Sequence, residues 1–228
     1  MARELEEQLN NSEASSLSFE ERLGLMVDRE ADERRNRRMT ASLRKARLRV
    51  QACMEDIDYR HKRGLDKGLM MSLASCSYIP KHRNIIITGP TGAGKTYLAC
   101  ALIHKACLEG YSALYRRLPN LLAELAMARG DGRYPRIMAA YAKADLLAMD
   151  DWGITRLTKE QRLDLLELIE DRHALKSTIV AAQVPIDLWH DMIGDPTLAD
   201  AILDRLVHSA YKMELKGESM RKKYESLT

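Results

Sequence analysis

The sequence predicts an α/β fold in which a parallel sheet is flanked by helices and preceded by a small helical N-terminal domain. Three observations predict it. Short β-rich runs alternate with longer helical patterns after Pro80, and a glycine-rich turn joins the first of these strands to the first of these helices. Before Pro80 the pattern is helical and highly charged. We predict a basic helical domain over residues 1–60 and an α/β domain over residues 61–228.

The N-terminal domain begins with a capping-box pattern, because Glu21 follows Ser18 at the required spacing. A basic stretch follows, and its cations alternate with apolar residues at helical spacing. The cations are Arg34, Arg35, Arg37, Arg38, Arg44, Lys45, Arg47 and Arg49. This pattern predicts an amphipathic helix whose cationic face complements DNA phosphates. The alternative is a solvated face that is paired with acidic residues such as Glu30, Asp32 and Glu33.

The elements of the α/β domain follow from periodicity and turn residues, after a bridge over residues 56–80. The predicted strands are Asn84–Thr88, Ser112–Arg116, Asp145–Met149, Thr178–Ala182 and Tyr211–Leu215. The predicted helices are Lys95–Glu109, Leu118–Ala128, Lys159–Ala174 and Leu198–His208. Strands that alternate with helices in this way are typical of a parallel sheet with covered faces.

The turn after the first strand satisfies the G-x-x-x-x-G-K-[ST] pattern of a phosphate-binding loop. Its residues are Gly89, Pro90, Thr91, Gly92, Ala93, Gly94, Lys95 and Thr96. Glycines let backbone N–H groups turn toward phosphate oxygens, and the following helix presents its positive end. We expect Lys95 to reach the β- and γ-phosphates and Thr96 to hold Mg²⁺.

An acidic pair ends the third predicted strand and supplies the oxygen ligands that such a site needs. We predict that Asp150 lies on the metal side and that Asp151 polarises the attacking water. In the alternative, both aspartates merely cap the loop into the helix that follows Thr158. No Asn-Lys-x-Asp sequence, which would select guanine, occurs in the chain, so ATP is favoured over GTP.

Three later polar residues are candidate catalytic residues of the same site. Gln183 directly follows a strand, where its amide could orient water; the alternative is a loop cap. Arg205 lies on a helix and could stabilise a phosphoryl transition state across a subunit boundary; the alternative is an ion pair with Asp200 or Asp204. Arg221 follows the last strand and could reach the γ-phosphate of its own subunit, or it could be a solvated tail residue.

Composition excludes several other classes of protein. The 36 basic and 33 acidic residues leave a net charge of +3, so any case for DNA binding rests on how the charge is distributed. No apolar run reaches the ~20 residues that span a bilayer, and no secretory signal is visible, so we expect no membrane partner and a cytoplasmic protein. The four cysteines form no CxxC pair, and the histidine spacing does not indicate zinc.

The order of these features resembles that of the AAA+ ATPases of the DnaC and IstB group. Within that group, the chain is most similar to the IstB-like transposition helper ATPases of bacterial insertion sequences. The resembling segments are Phe19–Leu25, Glu55–Arg60, Arg63–Lys67, Gly89–Ala101, Asp150–Gly153 and Gly194–Arg221. They extend from about residue 17 to the end of the chain.

The resemblance implies a function and a set of roles. It implies an AAA+ core that assembles on double-stranded DNA with ATP at the interfaces of a homo-oligomer, and that recruits and stimulates a transposase. Gly89 to Thr96 match the Walker A loop, and Asp150 and Asp151 match Walker B. Gln183 falls at the first sensor, Arg205 at the arginine finger and Arg221 at the second sensor.

Two departures from the AAA+ pattern favour slow, switch-like hydrolysis. Asp151 stands where most AAA+ proteins carry glutamate, and the chain ends soon after Arg221, which leaves little room for a helical lid. Other functions are also open on the sequence. They are a replicative helicase loader of the same class, a small-molecule kinase, and a DNA-bound scaffold that holds ATP without splitting it.

Overall fold

The computed structural model describes residue 8, residues 17–217 and residues 219–220. The chain divides into two compact units, one ending at Ser42 and the next beginning at Leu43. This division falls earlier than the domain boundary predicted at residue 60. The reason is that Ala46, Ala52 and Ile57 are buried in the core of the second unit, so the stretch after Ser42 packs with the α/β domain.

Five parallel strands form one sheet, as the sequence predicts. They are β1 (Ile85–Thr88), β2 (Ala113–Arg117), β3 (Leu146–Trp152), β4 (Ser177–Ala182) and β5 (Tyr211–Glu214). The strand order is β2-β3-β4-β1-β5. Strands β1 and β4 are buried along their whole length, which explains the continuous apolar runs in the sequence.

The helices of the described residues follow the predicted alternation with the strands. They are α1 (Phe19–Ala46), α2 (Lys67–Ala74), α3 (Lys95–Leu108), α4 (Leu118–Gly130), α5 (Tyr134–Lys143), α6 (Lys159–Arg172), α7 (Trp189–Ile193) and α8 (Pro196–Val207), with a short 3₁₀ turn over Ile186–Leu188. The helices from α2 onward cover both faces of the sheet. The four helices predicted in the α/β domain are α3, α4, α6 and α8, and their existence is confirmed. Helices α2, α5 and α7 were not predicted from the sequence.

The core lies in two clusters, one on each face of the sheet. Alternate residues of β1 supply them, since Ile85 and Ile87 face one cluster and Ile86 faces the other. Trp152 and Trp189 pack in the second cluster with ring centroids 5.0 Å apart. This double burial fixes the sheet, and thereby the loops that leave the carboxyl ends of its strands.

The basic stretch is only partly helical. The capping box is confirmed, because the Glu21 amide donates to Ser18 Oγ and the Ser18 amide donates to the Glu21 carboxylate. However, α1 ends at Ala46, and Arg47 takes the left-handed conformation with φ 54°. The predicted helix through Arg49 is therefore wrong over its last three residues.

Acidic neighbours hold several cations of this stretch. Arg34 pairs with Glu30 at 2.8 Å, Arg35 pairs with Asp32 at 3.7 Å, and Arg37 contacts Glu30 at 3.6 Å. The alternative of a paired, solvated face therefore describes these three arginines. In the part of the chain that the structure describes, no ion pair is formed by the exposed side chains of Arg44, Lys45 and Arg47.

Candidate nucleotide-binding site

The glycine-rich loop connects β1 to α3, and its shape requires its glycines. Gly92 and Gly94 have φ of 82° and 100°, a region that other residues avoid. A Cβ on Gly92 would lie 2.0 Å from Ser219 Oγ, and one on Gly94 would lie 2.4 Å from the Arg63 guanidinium. The chain segment after β5 and the Arg63 side chain therefore approach the loop closely from outside.

Lys95 is the first residue of α3, and its ammonium group folds back over the loop. Its Nζ donates to the carbonyl oxygens of Gly89 at 2.7 Å and Pro90 at 2.8 Å. Burial lowers the pKa of Lys95, while the charges of Asp150 and Asp151 act in the opposite direction. The cation thus lies inside the loop and faces the acidic pair.

Asp150 lies at the carboxyl end of β3 and is almost fully buried. Its Oδ2 accepts hydrogen bonds from the hydroxyls of Thr96 and Tyr115, each at 2.6 Å. Its Oδ1 accepts a bond from the Asp151 amide at 2.8 Å. A hydroxyl and a carboxylate in direct contact are oxygen ligands that fit Mg²⁺, which usually takes only one or two protein groups besides phosphates and water.

Asp151 takes a left-handed backbone conformation, with φ 60°, in an irregular stretch of the β3–β4 pairing between Met149 and Trp152. This bulge turns its side chain away from the direction that regular alternation would give. Its Oδ2 accepts a hydrogen bond from Arg117 Nε and contacts Arg49 Nη1 at 3.5 Å. Two guanidinium groups therefore hold the carboxylate that was predicted to polarise water.

The capping alternative for the acidic pair is wrong. The Thr158 hydroxyl caps α6 in a reciprocal capping box with Gln161. Asp150 and Asp151 remain at the sheet edge beside the loop. The structure thus brings together the phosphate-binding loop and both carboxylates.

A cavity of about 240 Å³ opens beside the loop. Val50, Tyr97 and Met220 form its apolar wall, while Arg49 and Lys95 contribute charge. The combination of an apolar wall with a few polar groups is typical of small-ligand sites. Arg49, which we predicted to contact DNA, lines this cavity.

The three later candidates fall in different places. Gln183 lies at the loop, where its Oε1 accepts a bond from the Thr91 hydroxyl at 2.9 Å. Arg205 lies near the end of α8, where it donates to the Ala201 carbonyl and pairs with Glu170 at 3.0 Å. The proposed partners Asp200 and Asp204 are therefore not its ion-pair partner. Arg221 lies outside the described residues.

The position of Arg205 separates it from the loop of its own chain. Its carbonyl oxygen accepts a bond from the Asn84 side chain at 3.1 Å, and Asn84 directly precedes β1. The phosphate-binding loop follows the other end of β1. Arg205 is therefore at the amino edge of the sheet, opposite the edge that carries Lys95 and Asp150.

Three residues that support the site were not predicted from the sequence. Arg63 is buried and donates to the Ala93 carbonyl of the loop at 3.0 Å. Tyr115 and Arg117 contact the acidic pair from β2, because Arg117 is in register with Asp150. The polar side chains at the end of β2 were a signal for Tyr115 and Arg117, because the ends of neighbouring parallel strands lie side by side.

Membrane-spanning helices and preformed metal clusters are both absent from the described residues. No helix among them has the length and apolar character that crossing a membrane requires. No group of three or more of their His, Cys, Asp or Glu side chains is arranged to hold a metal ion. The Thr96 and Asp150 pair is smaller than such a group and would need phosphate and water ligands to complete a Mg²⁺ site.

The family follows from comparison with known proteins. The sequence model of the family described as "IstB-like ATP binding protein" matches residues 1–228. The chain belongs to this family. It is 50% identical over 222 residues to the "Putative insertion sequence ATP-binding protein y4pL" of Sinorhizobium fredii, covering 97% of this chain and 91% of the relative. It is 32% identical to the "Insertion sequence IS21 putative ATP-binding protein" of Pseudomonas aeruginosa, covering 96% of this chain and 83% of the relative.

Solved structures confirm the fold of this IstB-like protein. The DnaC helicase loader aligns with a TM-score of 0.60 at 17% identity, covering 72% of this chain and 97% of that one. The replication initiator DnaA, bound to AMPPCP and single-stranded DNA, aligns with a TM-score of 0.61 at 18% identity, covering 79% of this chain and 56% of that one. The IstB-like chain therefore has the predicted AAA+ core with an α-helix before it.

Proposed function

We propose that this IstB-like protein is a regulatory ATPase that assembles on duplex DNA and recruits and stimulates a transposase in insertion-sequence transposition. The observation that carries the proposal is the union of Lys95, Thr96, Asp150 and Asp151 at one sheet edge in a chain that matches the family along its whole length. DNA binding, oligomerisation and transposase recruitment are the parts of the proposal that come from the resemblance.

Different residues of the site are proposed to bind the phosphates and the Mg²⁺ of ATP. The loop amides and the start of α3 would bind the phosphates, and Lys95 would leave the carbonyls of Gly89 and Pro90 to reach the β- and γ-phosphate oxygens. Thr96 and Asp150 would hold Mg²⁺, which supplies neutralisation of the phosphate charge. Gln183 lies close enough to the loop to act as a sensor through Thr91.

Hydrolysis is proposed to depend on Asp151 and to be slow. As a general base, Asp151 needs a free carboxylate oxygen that can accept a hydrogen bond from water. In the structure its Oδ2 is engaged by Arg117 and Arg49. Oδ2 can accept a hydrogen bond from water only after these guanidinium groups turn away, which leaves Oδ1 as the oxygen that polarises water; we propose that this restriction slows turnover.

The hold on Asp151 can be tested by substitution of Arg117. Arg117→Gln removes the charge of the closer partner, and we expect DNA-free ATP turnover to rise about threefold to tenfold, since a charged hydrogen bond contributes roughly 1.5 to 3 kcal/mol, part of which Arg49 retains. Turnover is measured by phosphate release at saturating ATP. Arg133→Gln, which removes a guanidinium paired with Asp131 in the turn between α4 and α5, is the matched control. A fall in turnover would show that Arg117 assists hydrolysis instead of opposing it.

The DNA contact is proposed to lie in the basic stretch. Arg44, Lys45 and Arg47 are the best candidates, because their side chains are exposed and form no ion pair among the described residues, whereas Arg34, Arg35 and Arg37 have acidic neighbours. Arg38 is likewise exposed and forms no ion pair among the described residues. Arg49 is proposed to act at the nucleotide site, since it contacts Asp151.

Salt dependence tests this assignment. For duplex DNA, the slope of log affinity against log salt becomes shallower by about 0.9 for each phosphate that the protein no longer neutralises. Changing Arg44, Lys45 and Arg47 together to glutamine should therefore reduce the slope by up to about 3 and weaken binding to all sequences alike. The control changes the exposed cations Arg136, Lys143 and Lys159 to glutamine, which removes the same amount of charge. An unaltered slope in the folded variant would exclude Arg44, Lys45 and Arg47 as the DNA contact.

The proposed function as a whole is tested by the nucleotide dependence of DNA binding. Fluorescence anisotropy with labelled duplex and labelled single strand, in ATP and in ADP, separates the transposition helper from a helicase loader. We expect ATP-dependent binding that favours the duplex, and capture of the transposase encoded by the same insertion sequence. Preference for the single strand would favour the helicase loader, and binding without regard to nucleotide would contradict an ATP switch.

A further inference from the structure

A buried tyrosine contacts the metal-side carboxylate from the neighbouring strand. Tyr115 lies on β2 with only 4% of its surface exposed, and its hydroxyl donates to Asp150 Oδ2 at 2.6 Å. The sheet register explains this contact, because Tyr115 pairs with Ala148, two residues before Asp150 on β3. The hydroxyl therefore comes from a rigid element and not from a loop.

Both oxygens of Asp150 are held by donors. Oδ1 accepts the Asp151 amide, and Oδ2 accepts the hydroxyls of Thr96 and Tyr115. Thr96 is itself a proposed Mg²⁺ ligand, so its position would depend on the ion. Tyr115 is different, because it holds the carboxylate from the side of the sheet and has no place among the ligands. It can fix the carboxylate before an ion arrives.

Two groups of opposite charge lie beside the Tyr115 hydroxyl. The hydroxyl donates to the Asp150 carboxylate at 2.6 Å. The phenol oxygen also contacts the Arg49 guanidinium, and this contact raises the pKa of Arg49. The tyrosine hydroxyl is thus oriented by a cation on one side and by a carboxylate on the other.

We propose that Tyr115 is a positioning residue for Mg²⁺ at the nucleotide site: its hydroxyl fixes the Asp150 carboxylate in the orientation that receives the ion. The inference rests on the proposed function of Thr96 and Asp150. Partners that orient metal ligands typically contribute 10-fold to 100-fold in metal affinity. Removal of the Tyr115 hydroxyl should therefore weaken Mg²⁺ binding and leave phosphate binding by the loop intact.

The test measures binding and not turnover. Tyr115→Phe removes one hydroxyl and keeps the buried ring, and the readout is the Mg²⁺ concentration that half-saturates the enhanced binding of a fluorescent ATP analogue. We expect this concentration to rise about tenfold. Nucleotide affinity in EDTA should stay at the wild-type value. The control is Tyr141→Phe, which also removes a buried hydroxyl that donates to a carboxylate, that of Glu124 rather than that of Asp150.

Asp150→Asn distinguishes the possible failures. If Asp150→Asn shifts the Mg²⁺ response and Tyr115→Phe does not, the role of Tyr115 is overturned while the proposed metal site stands. If Asp150→Asn leaves the response unchanged, the proposed metal site itself fails. A general structural effect would appear as an equal shift in Tyr141→Phe or as weaker nucleotide binding in EDTA, and either result would overturn the positioning role.

Discussion

Replacement of Lys95 by alanine is expected to abolish ATP binding. Lys95 is buried in the loop, where its ammonium group already has two carbonyl partners and faces the acidic pair. Among the described residues no other lysine lines the cavity, so the variant leaves the β- and γ-phosphates without this cation. Hydrogen bonds to charged groups contribute roughly 1.5 to 3 kcal/mol each, so two of them correspond to a decrease of at least about 100-fold in affinity.

Isothermal titration calorimetry with ATP measures this decrease in affinity directly. Lys105→Ala is the matched control, because Lys105 lies on the same helix but pairs with Glu109 at the surface. DNA-bound assemblies should also disappear in Lys95→Ala and persist in Lys105→Ala. Unchanged nucleotide affinity in Lys95→Ala would rule out the placement of this ammonium group on the phosphates.

Replacement of Arg205 by alanine is expected to spare ATP binding and stop turnover. Arg205 lies at the amino edge of the sheet, and the phosphate-binding loop lies at the carboxyl edge. Its guanidinium can therefore reach a γ-phosphate only in a neighbouring subunit. An arginine that acts in this way contributes roughly 10³-fold to 10⁵-fold to turnover.

Mixing experiments separate action across the subunit interface from action within one chain. Arg205→Ala has an intact loop and Lys95→Ala has an intact arginine, so mixed interfaces that pair the two should recover part of the activity. Glu170→Gln is the control, since it breaks the ion pair of Arg205 and keeps the arginine. No recovery at any mixing ratio would argue against action across the interface.

The sheet and the phosphate-binding loop could be predicted because their signals are local. The three isoleucines of β1 form an apolar run that ends shortly before glycine, and the spacing from Gly89 to Thr96 is required by the geometry of phosphate binding. The acidic pair could be assigned for the same reason, because a carboxylate at the carboxyl end of a buried parallel strand lies at the same sheet edge as the phosphate-binding loop.

The missed helices depend on contacts that are remote in sequence. The carboxyl end of α5 is held by Arg172, whose buried guanidinium donates to the carbonyls of Tyr141 and Ala144. Burial lowers the pKa of Arg172 to about 9. Such a cap comes from a side chain on α6, and periodicity within α5 carries no trace of it.

The contacts of Asp151 with Arg117 and Arg49 also could not be predicted from the sequence pattern. They depend on a left-handed residue within a strand, which bends the side chain toward Arg117, and on an end to α1 that brings Arg49 into the cavity. Charge density alone placed Arg49 on a DNA-binding face. The position at which α1 ends decided its actual partners.

Assembly of this protein on duplex DNA is proposed to be driven by ATP. Electron microscopy of the wild-type protein with duplex DNA, in ATP and in ADP, tests this most directly. We predict ordered DNA-bound oligomers in ATP, few or none in ADP, and none for Lys95→Ala in either nucleotide. Equal assembly in ATP and ADP, or normal assembly of Lys95→Ala, would contradict an ATP-driven switch.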